Sequence, residues 1–486
     1  MSPPPAPARA RAGQRLPARR VSVLMRPTGQ QGAAMNRKRI WGWWFFDWAS
    51  QPYATLLLTF IFSIYFAEVA QHRLVAEGVA PAAAGAQAQA MWGWALSLAG
   101  VVIAVLAPIL GAVADTTGRR MPWIWLFSGF YVVGAAGLWV LAPDGGMLVP
   151  ALMFFGIGLI GMEFTTIFTN ALMPTLTSRE DMGRVSGSGF AFGYAGGVVS
   201  LIVMLALFAE SATTGLTLIG QPPALGLDPA LREGTRFVGP FTAIWYAVFM
   251  VPFFLWVREP AGAGRPLRLG VALRDLGRLI ASLRQRRSLA AWLLSSMFSR
   301  DALNALYGFG GVYAGTVLGW PVIWSGIFGV VSAVSAAVIS WIGGRADRRW
   351  GPKPVIIGCI LALIAVCAIV VGMSRAQFMG LALAPGSRLP DAVFFACGVA
   401  IGGAGGMMQA ASRTMMVRHT TPDRATEAFG LYALSGKATS FLAPFLIATV
   451  TTATGSQRIG ISPLIVMFLL ALVLLVWVEP EGDPGP

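Results

Sequence analysis

A chain of 486 residues that is 56% hydrophobic and only 12% charged carries more apolar side chains than a soluble globule could cover, so lipid must face part of it. The net charge of +15 does not point to nucleic acid, because the basic residues collect mostly in loops on one side of a series of apolar spans, which is how membrane topology distributes them. Cys359, Cys367 and Cys397 all sit in apolar runs, and His72 and His419 fall in predicted loops far apart, which leaves no disulfide framework, no zinc spacing and no His-centred catalytic or metal site.

Residues 1–36 are rich in Pro, Ala and Arg and lack the apolar core of a signal peptide, so they read as a disordered basic tail. Translation starting at Met25 or Met35 is an alternative, since MNRKRIW is a natural lead-in to a first span. With about 20 apolar residues needed to cross the hydrocarbon layer, the chain holds twelve predicted spans. Six lie within 37–258, at about 41–67, 91–114, 121–141, 147–171, 185–209 and 239–257. Six more lie within 289–478, at about 289–314, 320–342, 354–374, 391–416, 427–449 and 459–478. Between them, 259–288 is a basic linker whose arginine spacing suits either an amphipathic helix on anionic headgroups or a solvated connector; 479–486 is a short tail.

With both termini in the cytoplasm, Arg73, Arg232, Arg236, Arg375, Arg388 and Arg458 are the basic residues of the outer loops, and Arg300 and Lys437 lie inside spans. The two halves repeat each other. GAVADTTGRR after span 2, with Gly111, Asp115, Gly118 and Arg119, is answered by GGRADRRWGPK after span 8, with Gly343, Asp347, Gly351 and Lys353. Arg184, Ser186 and Gly196 stand where Arg424, Thr426 and Gly436 stand in the second half, and Asp47, Ser50 and Tyr53 match Asp301, Asn304 and Tyr307. The expected fold is an all-α polytopic membrane protein of two pseudo-symmetric six-helix halves.

Ionisable residues inside spans normally face a bundle interior or a water-filled cavity. Here they are Asp47 on span 1, Glu163 on span 4, Arg300 and Asp301 on span 7, Arg413 on span 10 and Lys437 on span 11. At helical spacing Asp47 shares a face with Ser50 and Gln51, Glu163 with Thr166 and Asn170, Arg300 with Asn304 and Tyr307, and Gln409 with Arg413. Polar stripes on spans 1, 4, 7 and 10 are what a central aqueous cavity requires. Asp47 and Arg413, near the cytoplasmic ends, read equally well as structural anchors, and Lys437 as a tie between the halves. No HExxH, catalytic carboxylate pair or nucleophile-base pair is present, and SGKAT lacks the spacing of a phosphate loop, so neither enzyme nor nucleotide or other cofactor is expected.

The paired loop motif, together with WWFFDWASQPYAT, FTNALMPTLTSREDMGRVSGSGFAFGYAGG, SRDALNALYGFGGVYA and GGMMQAASRTMMVRHTTPDRATEAFGLYALSGKA, resembles the major facilitator superfamily from residue 37 onward. Within it the resemblance is to the bacterial members of the branch related to the fungal vacuolar amino-acid effluxer of autophagy. That resemblance implies alternating access in a bacterial inner membrane, a monomer, efflux of neutral amino acids, and capping of helix 11 by Asp115 and of helix 5 by Asp347. Ser50, where the branch usually has Asn, and Ser299-Arg300, where it has Tyr-Asn, depart from the pattern. The lack of an ATP-binding module makes a gradient the expected drive, with protons acting through Glu163, Asp47 or Asp301. A sugar, peptide, organic anion or drug is an alternative substrate, and a non-transporting sensor or scaffold an alternative role.

Overall fold

The computed structural model describes residues 29–483 apart from 260–269, 271–273, 275, 276, 279, 282 and 321. Most of the linker expected at 259–288 thus lies outside the described residues, as do the first 28 residues of the chain. Among the described residues, eleven helices are long and apolar enough to cross a membrane. They are α1 (Arg37–Ala76), α2 (Ala83–Thr117), α3 (Met121–Val140), α4 (Leu148–Thr175), α5 (Met182–Leu207), α6 (Glu233–Trp256), α8 (Ile327–Trp350), α9 (Pro352–Val371), α10 (Leu389–Arg418), α11 (Pro422–Thr454) and α12 (Gln457–Leu475). The remaining predicted span is α7, Arg287–Thr316, whose 30 residues are long enough to cross. It falls short in apolarity because Ser295, Ser296, Ser299, Arg300, Asp301 and Asn304 are packed into its middle.

Three helices differ from their sequence expectations in ways that follow from local chemistry. α1 continues to Ala76 and takes His72 with it, so that residue is helical and not in a loop. It also widens into a π-helix at Tyr53–Phe60, directly after Pro52 removes an amide donor. α2 starts near Pro81, well before residue 91, because an alanine-rich lead-in extends it. α11 is broken: Ala425–Ala438 and Leu442–Thr454 are separate helices, and Thr439, Ser440 and Phe441 form the step between them. Outside the helices, a short antiparallel hairpin, β1 (Gln377–Phe378) with β2 (Leu381–Ala382), joins α9 to α10.

The halves meet along two seams, α2 against the first part of α11 and α5 against α8, which the internal repeat relates to each other. Both seams depend on glycine. A Cβ on Gly111 would stand 2.7 Å from the Thr426 carbonyl oxygen, and one on Gly187 2.6 Å from that of Ser340. These backbones therefore approach as closely as small-residue helix pairs do in membranes. Gly118, with φ of 65°, closes α2 in the left-handed conformation and lets the chain turn at once into α3. The loop carrying Gly118 and that carrying Gly351 lie at one end of the bundle, called the motif end below. At the other end, Leu442–Thr454 has its principal neighbours, α7 and α12, in its own half, so the α2/α11 seam is closed only toward the motif end.

The end of the chain fastens the second half at the motif end. Asp483 accepts from the amides of Ser288 and Leu289 at 2.8 and 3.1 Å, capping α7, and Ser288 Oγ lies 2.7 Å from His419 Nε2. Burial pushes the His419 imidazole below its ordinary pKa.

Substituting Gly187→Leu places a branched side chain in the α5/α8 seam and should lower the thermal midpoint in detergent by the equivalent of about 1–3 kcal/mol. Gly100→Leu, where nothing lies within 4 Å of the new Cβ, should leave the midpoint nearly unchanged.

Candidate functional site

The motif end is locked by a carboxylate at a helix start. Asp115, at the end of α2, accepts from the amides of Thr426 and Glu427 at 3.3 and 2.8 Å, where unpaired donors and the helix dipole favour negative charge. The arginine that completes this clamp is Arg120. Its Nη2 lies 2.8 Å from Asp115 Oδ1 and 2.6 Å from the Pro422 carbonyl, and its Nε donates to Thr426 Oγ1 at 2.6 Å. Arg119, the arginine singled out from the motif, is exposed and takes no part in these bonds.

The second copy of the motif is built differently. Asp347 is buried against Gly183 at the start of α5, with the Thr414 side chain beside it, and among the described residues neither carboxylate oxygen makes a well-formed hydrogen bond. Its Asp-to-Gly spacing is one residue longer, and Lys353 reaches away to the Val478 carbonyl at 2.8 Å. The interhalf tie on this side comes instead from Arg348 to Asp181, 3.1 Å, and from Ser186 Oγ to the Ala410 carbonyl, 2.8 Å. Gly343 and Gly351 serve packing and turning: a side chain at Gly343 would meet Met407, and Gly351 has φ of 82°.

Deeper in the bundle lies a buried pair that also crosses the halves. Arg413 of α10 grips Asp47 of α1 through both guanidinium ends, at 3.0 and 3.2 Å. The Arg413 side chain is 6% exposed and that of Asp47 9%. The guanidinium is sandwiched between Phe190, 4.2 Å, and Trp43, 4.8 Å. Such a desolvated, bidentate pair fixes geometry.

Near the middle of the bundle is a more accessible group. Lys437 Nζ stands 2.8 Å from Glu163 Oε1, joining α11 to α4, with the two side chains 27% and 22% exposed. Arg300 of α7 approaches from the other side, its Nη1 donating to the Tyr432 carbonyl at 2.9 Å and its guanidinium 4.3 Å from the Tyr432 ring. Asn304 and Tyr307 continue the Arg300 face and are exposed; the Tyr307 hydroxyl lies at Gly405 and beside Tyr194. Gln409 donates to the Tyr194 hydroxyl at 3.1 Å, again across the halves. Asp301 is turned away from this group. Buried at 2% exposure, it accepts from the Ala443 amide at 3.1 Å and so caps the second part of the broken α11.

The sequence thus named both members of the two interhalf ion pairs that lie within the spans, Asp47–Arg413 and Glu163–Lys437, but not who pairs with whom. It missed Arg120, Thr426, Trp43, Phe190, Tyr194, Tyr432, Asp181 and Arg348. Trp43 was within reach, because it lies one helical turn before Asp47 on the same face; Arg120 differs from Arg119 only by the exact angle at which α2 ends.

Two six-helix halves that meet at paired seams around a polar, partly accessible centre define a membrane transporter of the major facilitator type. The fold resembles that of the human organic anion transporter MFSD10, with a TM-score of 0.67 at 15% identity over 90% of this chain and 99% of that one. It also resembles the fucose:proton symporter FucP of E. coli, with a TM-score of 0.64 at 14% identity over 90% and 98%. The family profile described as vacuole effluxer Atg22 like matches residues 35–482, and the chain belongs to that family. An uncharacterised MFS-type transporter of Bacillus subtilis, YxiO, is 26% identical over 90% of this chain and 94% of its own. The autophagy-related protein 22-1 of Aspergillus niger is 23% identical over 61% of this chain, which spans only 47% of that relative.

Removing one partner of the Asp47–Arg413 pair leaves a buried charge alone, a loss of roughly 3–5 kcal/mol. Asp47→Asn and Arg413→Gln should each lower the thermal midpoint markedly, and the Asp47→Asn/Arg413→Gln double variant should recover much of it in a double-mutant cycle.

Proposed function

We propose that the chain is a secondary active transporter that exports small solutes, neutral amino acids foremost, in exchange for protons. In this reading the halves rock about the Glu163–Lys437–Arg300 group, and the motif end faces the cytoplasm of a bacterial cell as the basic loops require. The observation that carries it is the Glu163–Lys437 pair: a mid-bundle carboxylate, partly open to solvent, whose partner belongs to the other half. Protonating Glu163 removes the charge that holds Lys437. The pair then ceases to tie the halves together, and a proton arriving from outside favours opening of the motif end. Release of that proton to the cytoplasm restores the pair after the solute has entered the cavity, so proton and solute exchange places across one cycle. Membership in a family of vacuole-effluxer-like proteins supports export, and the fold shared with a fucose:proton symporter supports protons as the coupling ion. The protein works as a monomer, with anionic lipid at its basic linker.

Reconstituted into proteoliposomes, the protein should drive solute movement when a pH gradient is imposed. Glu163→Gln, fixed in the neutral form, should lose gradient-driven transport and keep solute exchange at equal pH. Gradient-driven transport undiminished in that variant would reject proton coupling through Glu163. Absence of any exchange, alongside retained ligand binding, would favour a sensor that kept the fold without the traffic.

A further inference from the structure

The three charges at the centre of the bundle do not cancel. Glu163 is held by Lys437 at 2.8 Å. Asp301, which follows Arg300 in sequence, points elsewhere and spends its carboxylate on the Ala443 amide. Asp47 is held on both oxygens by Arg413. Among the described residues, no carboxylate oxygen lies within 4.0 Å of the Arg300 guanidinium. An arginine in the middle of a membrane span with no ion-pair partner of its own is costly, and such residues are kept where a pathway needs them.

The protein holds this guanidinium in place by means other than an acid. The Tyr432 carbonyl takes Nη1, the Tyr432 ring lies 4.3 Å from it, and Gly436 makes room: a Cβ there would stand 2.5 Å from Arg300 Cζ. Nε and Nη2 are neither hydrogen-bonded nor shut off from solvent among the described residues. Those two nitrogens form the edge of the guanidinium fork that matches the two oxygens of a carboxylate. The edge belongs to the face of α7 that also carries exposed Asn304 and Tyr307.

We propose that Arg300 is the anchor for a carboxylate on the transported solute, with Lys437 as the second positive group and Glu163 opposite the solute's ammonium group where it has one. The inference rests on the transporter reading and specifies its substrate class. A single carboxylate supplies the one negative charge that Arg300 lacks, and its planar pair of oxygens suits the open fork better than a halide or a sugar hydroxyl does.

The test uses the full chain in detergent and acids paired with their own amides: leucine and leucinamide, alanine and alaninamide, lactate and lactamide. Members of the acid set should raise the thermal midpoint, and their amides should not. Arg300→Gln should weaken acid binding by roughly tenfold to a hundredfold, the scale of a lost charge-assisted hydrogen bond. Arg300→Lys keeps the charge and loses the fork, so it should bind with intermediate affinity, and it remains informative if Arg300→Gln folds poorly. Amides binding as well as acids, no acid binding at all, or acids binding both variants as they bind the native protein would each overturn the proposal. Counterflow of a solute without a carboxylate, unchanged in Arg300→Gln, would discard the anchor and keep the transporter. No counterflow of any solute would reject the transporter reading and the anchor with it.

Discussion

A charge carried into a lipid-surrounded bundle must be compensated by the protein wherever water does not reach it. In this protein most of that compensation is drawn from the opposite half. Asp115 is satisfied by two amides at the start of α11, Asp47 by Arg413 and Glu163 by Lys437. The same electrostatic requirement that makes each polar residue tolerable therefore makes the two halves adhere. It also makes that adhesion conditional, since a change of protonation or the arrival of another charged group alters the balance that holds the seam.

The repeat sets up two similar seams and the structure treats them unequally. On the α2/α11 side a carboxylate, an arginine and a threonine interlock, with Arg120 further fixed by Glu259, which accepts from its amide at 2.9 Å. On the α5/α8 side the corresponding carboxylate, Asp347, has no basic group within 4.0 Å among the described residues, and the contact relies on glycine backbones and the peripheral Arg348–Asp181 pair. The break in α11 adds a second asymmetry. Past Lys437 the helix steps sideways, is restarted on Asp301, and leaves the other half, whereas α5 runs unbroken from Met182 to Leu207. Discontinuous helices at mid-membrane leave backbone groups and side chains free to meet a solute, and here the step directly follows the residue that pairs with Glu163.

The sequence makes much of this legible because lipid imposes simple rules: apolar runs must be long enough to cross, basic loops keep to one side, and charged residues within spans stand out. Those rules locate the spans, the duplicated motif and all six intramembrane charges. They fail where geometry depends on small angular differences. Arg119 and Arg120 are adjacent and chemically identical, and only the left-handed turn at Gly118 decides which reaches Thr426. Asp301 looks like a cavity residue by periodicity until the break in α11 supplies it with an amide, a break marked in TSFLAP by Pro444, which falls in the first turn of the restarted helix. Lys437 and Glu163 lie in different repeats with no sequence relation, so their pairing emerges only when α4 and α11 are brought together.

The proposed transport cycle requires the halves to move as bodies about the central charges. Distances between spin labels, measured by double electron–electron resonance, test this most directly. One pair would replace exposed Arg119 and Asp423 across the motif end, and the other exposed Trp94 and Phe445 across the opposite end. Rocking predicts two populations at each site, with the first distance lengthening as the second shortens, and a shift between them when pH is lowered or a transported solute is added. A single, unchanging distance at both ends under all of those conditions would contradict it.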